Sequence, residues 1–446
     1  MNTTLSESSL EKLIGRVDQT DTDHATNYPG NLGRRQPVHV VYGGAHLFNS
    51  DTAAKLGKIA EKTFVEYCRD AAAIADIFGL DEVVAEAIYP RIIKKLQREA
   101  VEDLRIDFED GYGVRSHSEE DGHAVSAAVE FAKGKAAGTL PPFTGIRIKA
   151  LSAESASRAI RTLDLFLTTL IAESRGRLPE NFVVTLPKII RAEQVGILAD
   201  ICDELESKLA IESGKLKIEI MIETPQAVFG SDGSVAIPSL VVAARGRCVG
   251  AHFGPYDYTS SLGITAAYQD MLHPACDLAR NIMQISLAGT GVFVSDGATN
   301  ILPIASHKKS DLSGVKRAEI AAVIHRAWKL HFDHCRHSLE NGIYQGWDLH
   351  PAQILSRYVA IFSFFFEGLD SASERLTNFI DAAARATLVG NVFDDAASGQ
   401  GLLNFFHRGI NCGALTETKA IMLTGLTRDQ LQSGSFSKII AERTDN

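Results

Sequence analysis

The amino-acid sequence predicts an α/β fold, a TIM (β/α)8 barrel with a helical C-terminal appendage, and three observations lead there. Eight short apolar runs recur between Val38 and Pro351, separated by longer amphipathic stretches. That alternation is the pattern of parallel strands covered by crossover helices. The runs end in polar or glycine-rich turns and no GxGxxG follows the first, which favours a closed barrel over a dinucleotide-binding open sheet.

In chain order, a polar extension over residues 1–36 precedes the first strand, VHVVYGG from Val38. The segment Asp51 to Glu99 exceeds one barrel helix and predicts two. The remaining strands are LRIDFED from Leu104, GIRIKA from Gly145, FVVTLPK from Phe182, KIEIMIE from Lys217, RCVGAHFG from Arg247, GVFVSD from Gly291 and YQGWDLHP from Tyr344. Between the fourth and fifth, Val195, Leu198, Ile201, Leu205 and Leu209 recur at three- and four-residue steps, an amphipathic helix; Val315 to Leu339 reads the same way. From Ala352 no further strand of this kind is expected. The predicted organisation is an extension (1–36), a barrel (37–354) and a helical C-terminal segment (355–446).

Bulk properties narrow the function. A chain of 446 residues can hold one barrel of 250 or more residues plus an appendage. Its 45% hydrophobic and 22% charged residues are those of a globular protein. No apolar run approaches the ~20 residues that span a bilayer, and the N-terminus does not resemble a secretory signal, so no membrane association and a cytoplasmic location are expected. The formal charge of −10 argues against nucleic acid as a partner. Cys68, Cys202, Cys248, Cys276, Cys335 and Cys412 show no CxxC spacing and read as reduced thiols.

In a TIM barrel the loops at the C-terminal strand ends form the site. Those ends carry Asp107, Glu109 and Asp110 (strand two), Arg147 (three), Pro187 and Lys188 (four), Glu223 (five), Gly254, Pro255 and Asp257 (six), Asp296 (seven) and His350 (eight). Carboxylates converging on one mouth repel unless a cation neutralises them, and oxygen ligands without thiolates favour Mg²⁺ or Mn²⁺. Glu223 and Asp257 form the best pair; either could instead cap a helix. Arg147, in an apolar strand, either binds a substrate carboxylate or enolate oxygen or pairs with Glu109 or Asp110. His46 is a candidate base near the mouth or closes a turn. His331, His334, Cys335 and His337 cluster on a helix away from the mouth.

The motifs IDFEDGYG, GIRIKA, LPKI, IEIMIETPQAV, HFGPYDYTSSLG and GWDLHPAQI, in this order from Val38 to Ile354, resemble the superfamily of citrate lyase β subunits, malyl-CoA lyases and HpcH/HpaI aldolases. The resemblance implies Mg²⁺ on Glu223 and Asp257, and Arg147 on the substrate carboxylate or developing enolate. Glu109 and Asp110 would support the metal's waters and the arginine, with Gly254 and Pro255 at the substrate. A carboxylate from a neighbouring subunit's C-terminal segment, here Asp394 or Asp395, would move a proton, which requires a homo-oligomer.

The chain departs from that pattern in its first strand, where VHVVYGGAHLF replaces the arginine–serine opening and "FVPG" turn, and at Tyr256, where a glutamate is usual. These changes weigh against a coenzyme A thioester as substrate; the extended C-terminus weighs for one. The expected chemistry is carbon–carbon cleavage or formation through the enolate of a 2-oxo acid or acyl-CoA. The alternative is a non-catalytic metabolite-binding or complex-forming subunit.

Overall fold

The computed structural model describes residues 4–30, 33–304, 314–381, 387–389, 392–394 and 396–444. Eight parallel strands close into a barrel in sequence order: β1 (His39–Gly44), β2 (Asp103–Asp107), β3 (Phe143–Arg147), β4 (Phe182–Leu186), β5 (Lys217–Ile222), β6 (Cys248–Phe253), β7 (Phe293–Ala298) and β8 (Gln345–Asp348). Closure is direct, with Val40 opposite Trp347 between β1 and β8.

The helices follow from the sequence by familiar rules. His117–Ala137 starts with a capping box, Ser116 and Glu119 satisfying each other's backbone N–H groups. Ala192–Lys208 buries Val195, Leu198 and Leu205 against the barrel. Between β1 and β2 three helices form rather than two, Thr52–Tyr67, Ala71–Phe78 and Glu82–Glu99. Asp70 and Asp81 cap the second and third, which divides a segment that periodicity alone reads as continuous.

Two further departures stand at the ends. The polar extension contains the helix Glu7–Asn27, and the C-terminal segment contains a small antiparallel hairpin, Thr387–Val389 with Val392–Asp394. The helix Ile354–Glu367 packs into the same core as Glu82–Glu99 and Gly314–Glu340, as a barrel helix does. A separate apolar cluster begins at Leu369 and joins the remaining C-terminal helices.

Strand alternation turns a polar column into the barrel. Its lower part is ionic: Arg105 donates to Glu219 at 2.7 Å and pairs with Asp103, while His252 Nε2 lies 3.2 Å from Glu219. Charges this deep persist only when paired and hydrogen-bonded, as these are. A second network outside the barrel pins its closing seam, with Arg357 2.7 Å from Asp348 and His331 3.1 Å from the same carboxylate.

Candidate active site

Directly above the ionic layer, β3 ends in Arg147, only 1% exposed. Its Nε donates to Asp107 Oδ1 at 2.7 Å and a terminal nitrogen to Asp107 Oδ2 at 2.5 Å; Glu109 Oε2 lies 3.4 Å away. Tyr42 and Trp347 flank the guanidinium, their ring centres 4.8 and 5.4 Å from its carbon. Tyr42 Oη and Trp347 Nε1 are buried and have no hydrogen-bond partner among the described residues. An orphaned donor costs free energy, so two of them beside one cation mark a place for an oxygen-rich ligand.

Glu223 follows β5 and is also 1% exposed. Burial and the neighbouring Asp257 push its carboxyl up to about 7, against the pull of Arg147. The close approach that buries it depends on Gly254, because a methyl there would meet Glu223 Cβ at 2.5 Å and Oε2 at 2.7 Å. Pro255 opens the short helix Pro255–Ser261 and is itself buried, while Asp257 on the same helix stays half-exposed toward the mouth. Tyr256, at the usual glutamate position, donates to the Ala298 carbonyl at 2.7 Å and accepts from the Asn300 N–H at 3.0 Å, tying the loops after β6 and β7 together.

Lys188 holds the acids together. It sits at φ 51°, a left-handed backbone that few side-chain-bearing residues adopt. In that conformation its N–H donates to Glu223 Oε1 at 2.6 Å and its Nζ pairs with Glu109 and, at 3.0 Å, with Asp110. Asp257 Oδ2 lies 4.0 Å from the same Nζ. Burial pushes the Glu109 carboxyl up, against Arg147 and Lys188; at Asp110 burial is outweighed by hydrogen bonds from Glu109 and Lys188, which hold it down. Strain of this kind collects at functional sites.

The donor set suits a hard divalent cation: two adjacent carboxylates, one buried with a raised proton affinity, and no thiolate. Among the described residues, however, no group of three or more His, Cys, Asp or Glu converges as a ready-made metal cluster.

Several rim residues do other work. Asp296 turns away from the mouth, accepting from Arg280 at 3.1 Å and from Ser338 at 2.6 Å. His350 caps a short turn by accepting the Ala352 N–H at 3.1 Å. His331 and Cys335 belong to the closing seam, His334 bonds Thr299 at 2.9 Å and His337 pairs with Asp277 at 2.9 Å, so the histidines of HFDHCRH point to separate partners. His46 lies in the 3-10 turn Ala45–Leu47 beside Tyr112 and His123, and burial, then Arg115 and His123, lower its pKa. Asp394 ends the C-terminal hairpin opposite Thr387; Asp395 lies outside the described residues.

Sequence reasoning passed over Tyr42 and Trp347. The signal available was a tyrosine in the altered first strand and a tryptophan before the last turn, both at inward positions of their strands.

Among solved structures the chain is similar to a citrate lyase from Burkholderia xenovorans LB400, with 19% identity, TM-score 0.53 and coverage of 75% of this chain and 91% of that one. It is also similar to CitE from Mycobacterium tuberculosis in complex with magnesium, acetoacetate and coenzyme A (15% identity, TM-score 0.47, 84% and 99% covered). A third is Haloferax volcanii malate synthase in a pyruvate/acetyl-CoA ternary complex (13% identity, TM-score 0.46, 93% and 99% covered). At 19% identity the likeness to the Burkholderia protein is one of fold alone. None of the curated proteins matches the chain significantly in sequence. No helix among the described residues is long and apolar enough to cross a membrane. Its family is the one described as Domain of unknown function (DUF6986), which matches residues 17–439, and the chain belongs to it.

Proposed function

We propose that this protein is a Mg²⁺-dependent carbon–carbon lyase or aldolase acting through the enolate of a 2-oxo acid or acyl-CoA. The observation that carries the reading is the buried Glu223 beside the half-exposed Asp257, where burial and then the neighbouring Asp257 raise the Glu223 carboxyl to about 7, set in the same mouth as the buried cation Arg147. Bound there, Mg²⁺ would supply Lewis-acid charge to the carboxylate and neighbouring oxygen of the substrate. Glu223 and Asp257 would hold it.

The chain's own residues account for the rest. Asp107 fixes the Arg147 guanidinium through Nε and one terminal nitrogen, and the other terminal nitrogen, 3.4 Å from Glu109, would face negative charge that develops on the substrate. Tyr42 Oη and Trp347 Nε1 supply further donors to the same oxygens, and their rings keep water from that side. Glu109 and Asp110 steady Arg147 and Lys188. His46, whose pKa burial and then Arg115 and His123 lower, is a candidate base; Asp394 or Asp395 of a neighbouring copy is the other. The latter choice requires a homo-oligomer.

The decisive experiment is calorimetric titration of the metal-free chain with Mg²⁺, with and without oxalate, for the native protein and Glu223→Ala. Metal-dependent oxalate binding that is lost in the variant supports the reading; its absence in the native chain rejects it. Product formation from 2-oxo acids and from acyl-CoA esters then separates the two substrate classes.

One observation favours a second reading. The Lys188 ammonium already neutralises Glu109, Asp110 and, more distantly, Asp257. A chain in which lysine has taken over the cation's role would bind a metabolite without metal, and oxalate binding unaffected by chelator would identify it.

A further inference from the structure

The rim between β1 and β2 carries a second polar group around the candidate base His46, whose Arg115 and His123 have no part in the enolate chemistry. Gly44 ends β1, and a methyl there would meet the Gly111 carbonyl and His46 Cε1, the latter at 2.7 Å. His46 therefore stands over the joint between the two strands. Gly111 in turn donates its N–H to Asp107 Oδ2 at 2.7 Å, the carboxylate that holds Arg147. The His46 group is thus a neighbour of the mouth, one residue removed from its arginine clamp.

Around His46 the groups are basic or donors. Its ring centre lies 5.7 Å from Tyr112 and 6.3 Å from His123, and Tyr112 Oη is bonded to His123 Nδ1 at 2.7 Å. The Arg115 guanidinium lies 4.9 Å from the Tyr112 ring centre. Two nitrogens here, His46 Nδ1 and Arg115 Nε, are buried and have no hydrogen-bond partner among the described residues. The nearest acids are held by hydrogen bonds, and Glu119, held down first by Ser116, also feels the charge of Arg115 and His123. Glu119 accepts the Ser116 N–H at 3.0 Å and its hydroxyl at 2.7 Å, and Glu120 accepts from Lys149 at 2.9 Å and Thr162 at 2.7 Å.

Basic groups gathered around orphaned buried nitrogens are unfavourable unless an acceptor joins them. We propose that His46, Arg115 and His123 form an anion subsite that receives a second, terminal anionic group of the substrate, a carboxylate or a phosphate. The substrate class is then a short enolisable acid with anionic groups at both ends, one on Arg147 and one on Arg115. That assignment rests on the enolate reading of the mouth; the anion contact itself rests on the rim geometry.

The test separates the two. In the metal-free full chain carrying ¹³C-labelled histidine, the imidazole signals of His46 and His123, assigned with His46→Asn and His123→Asn, are followed during titration with inorganic phosphate and, separately, succinate at constant ionic strength. The subsite predicts saturable shifts of both signals, weakened on the order of tenfold in Arg115→Gln, with Arg115→Lys in between. Shifts that do not saturate, or that are the same in Arg115→Gln, overturn the subsite. With Mg²⁺ present, Arg115→Gln is expected to weaken malate binding while leaving oxalate binding unchanged, which also shows that the variant is folded. Equal effects on both ligands overturn the substrate assignment. Saturable phosphate shifts in a chain that does not bind oxalate uphold the subsite and reject the enolate reading.

Discussion

Asp107 and Arg147 meet at the ends of adjacent strands through two parallel hydrogen bonds, Nε to Oδ1 at 2.7 Å and a terminal nitrogen to Oδ2 at 2.5 Å. Both residues are buried, and their backbones are direct partners in the β2–β3 register. Such a pair stabilises little relative to an apolar one, but removing one partner strands the other. Asp107→Ala is therefore expected to destabilise the chain by about 3–5 kcal/mol in urea unfolding. Arg147→Met, which removes the charge and keeps the bulk, should cost less.

Glu223 makes stability depend on pH in a defined direction. Its folded pKa, about 7, lies above the ordinary value of 4.5, so the folded state binds the proton more tightly than the unfolded one. The contribution is fully present below pH 4.5 and is lost as pH rises through 7, a difference on the order of 3 kcal/mol in the metal-free protein. Chemical denaturation at pH 5 and pH 8 should show that decline, and Glu223→Gln should flatten it. Mg²⁺ affinity should rise over the same interval, since binding must displace the proton.

Gly254 is where the backbone must come closest to a functional carboxylate. Gly254→Ala places a methyl 2.5 Å from Glu223 Cβ, so Glu223 or the turn after β6 has to move. Overpacking of this kind costs about 1–3 kcal/mol, read by thermal unfolding. Mg²⁺ binding should weaken far more than that loss explains, because the two proposed ligands flank the displaced turn. Unchanged Mg²⁺ binding in a folded variant would remove Glu223 from the ligand set.

Trp347→Phe keeps an aromatic ring over Arg147 but deletes part of the indole together with its N–H, which has no partner among the described residues. The stability loss should come from the smaller ring, on the order of 1–2 kcal/mol, rather than from a lost hydrogen bond. Oxalate binding should weaken several-fold if that N–H serves the ligand. Tyr42→Phe tests the neighbouring hydroxyl in the same way, by calorimetry.

Lys188→Gln removes the ammonium shared by Glu109 and Asp110 and leaves its left-handed backbone in place. Lys188 is a third exposed, so the stability loss should be small, about 1 kcal/mol, and should shrink in high salt. A gain in Mg²⁺ affinity would mean that the ammonium and the metal compete for the same acids; a loss would mean that Lys188 orients them.

The linear sequence determined the barrel and much of its rim. Period-two apolar runs alternating with period-3.6 stretches admit few other folds, and a TIM barrel exposes whatever ends its strands, which brought Arg147, Glu223 and Asp257 to one mouth. Which of those ends face the mouth, and what each one meets there, was decided only by the tertiary structure. Asp107 and Arg147 are 40 residues apart and Glu109 and Lys188 are 79 apart, so their pairing depends on barrel closure. Asp107 ends β2, whereas Asp296, expected at a strand end, lies inside β7, where the register is irregular between Ser295 and Ala298, and turns outward to Arg280 and Ser338. That Tyr42, Trp347, His46 and Arg115 each carry a buried polar atom without a partner among the described residues was illegible for the same reason. A donor without a partner is a property of three-dimensional surroundings, and no spacing along a chain records it.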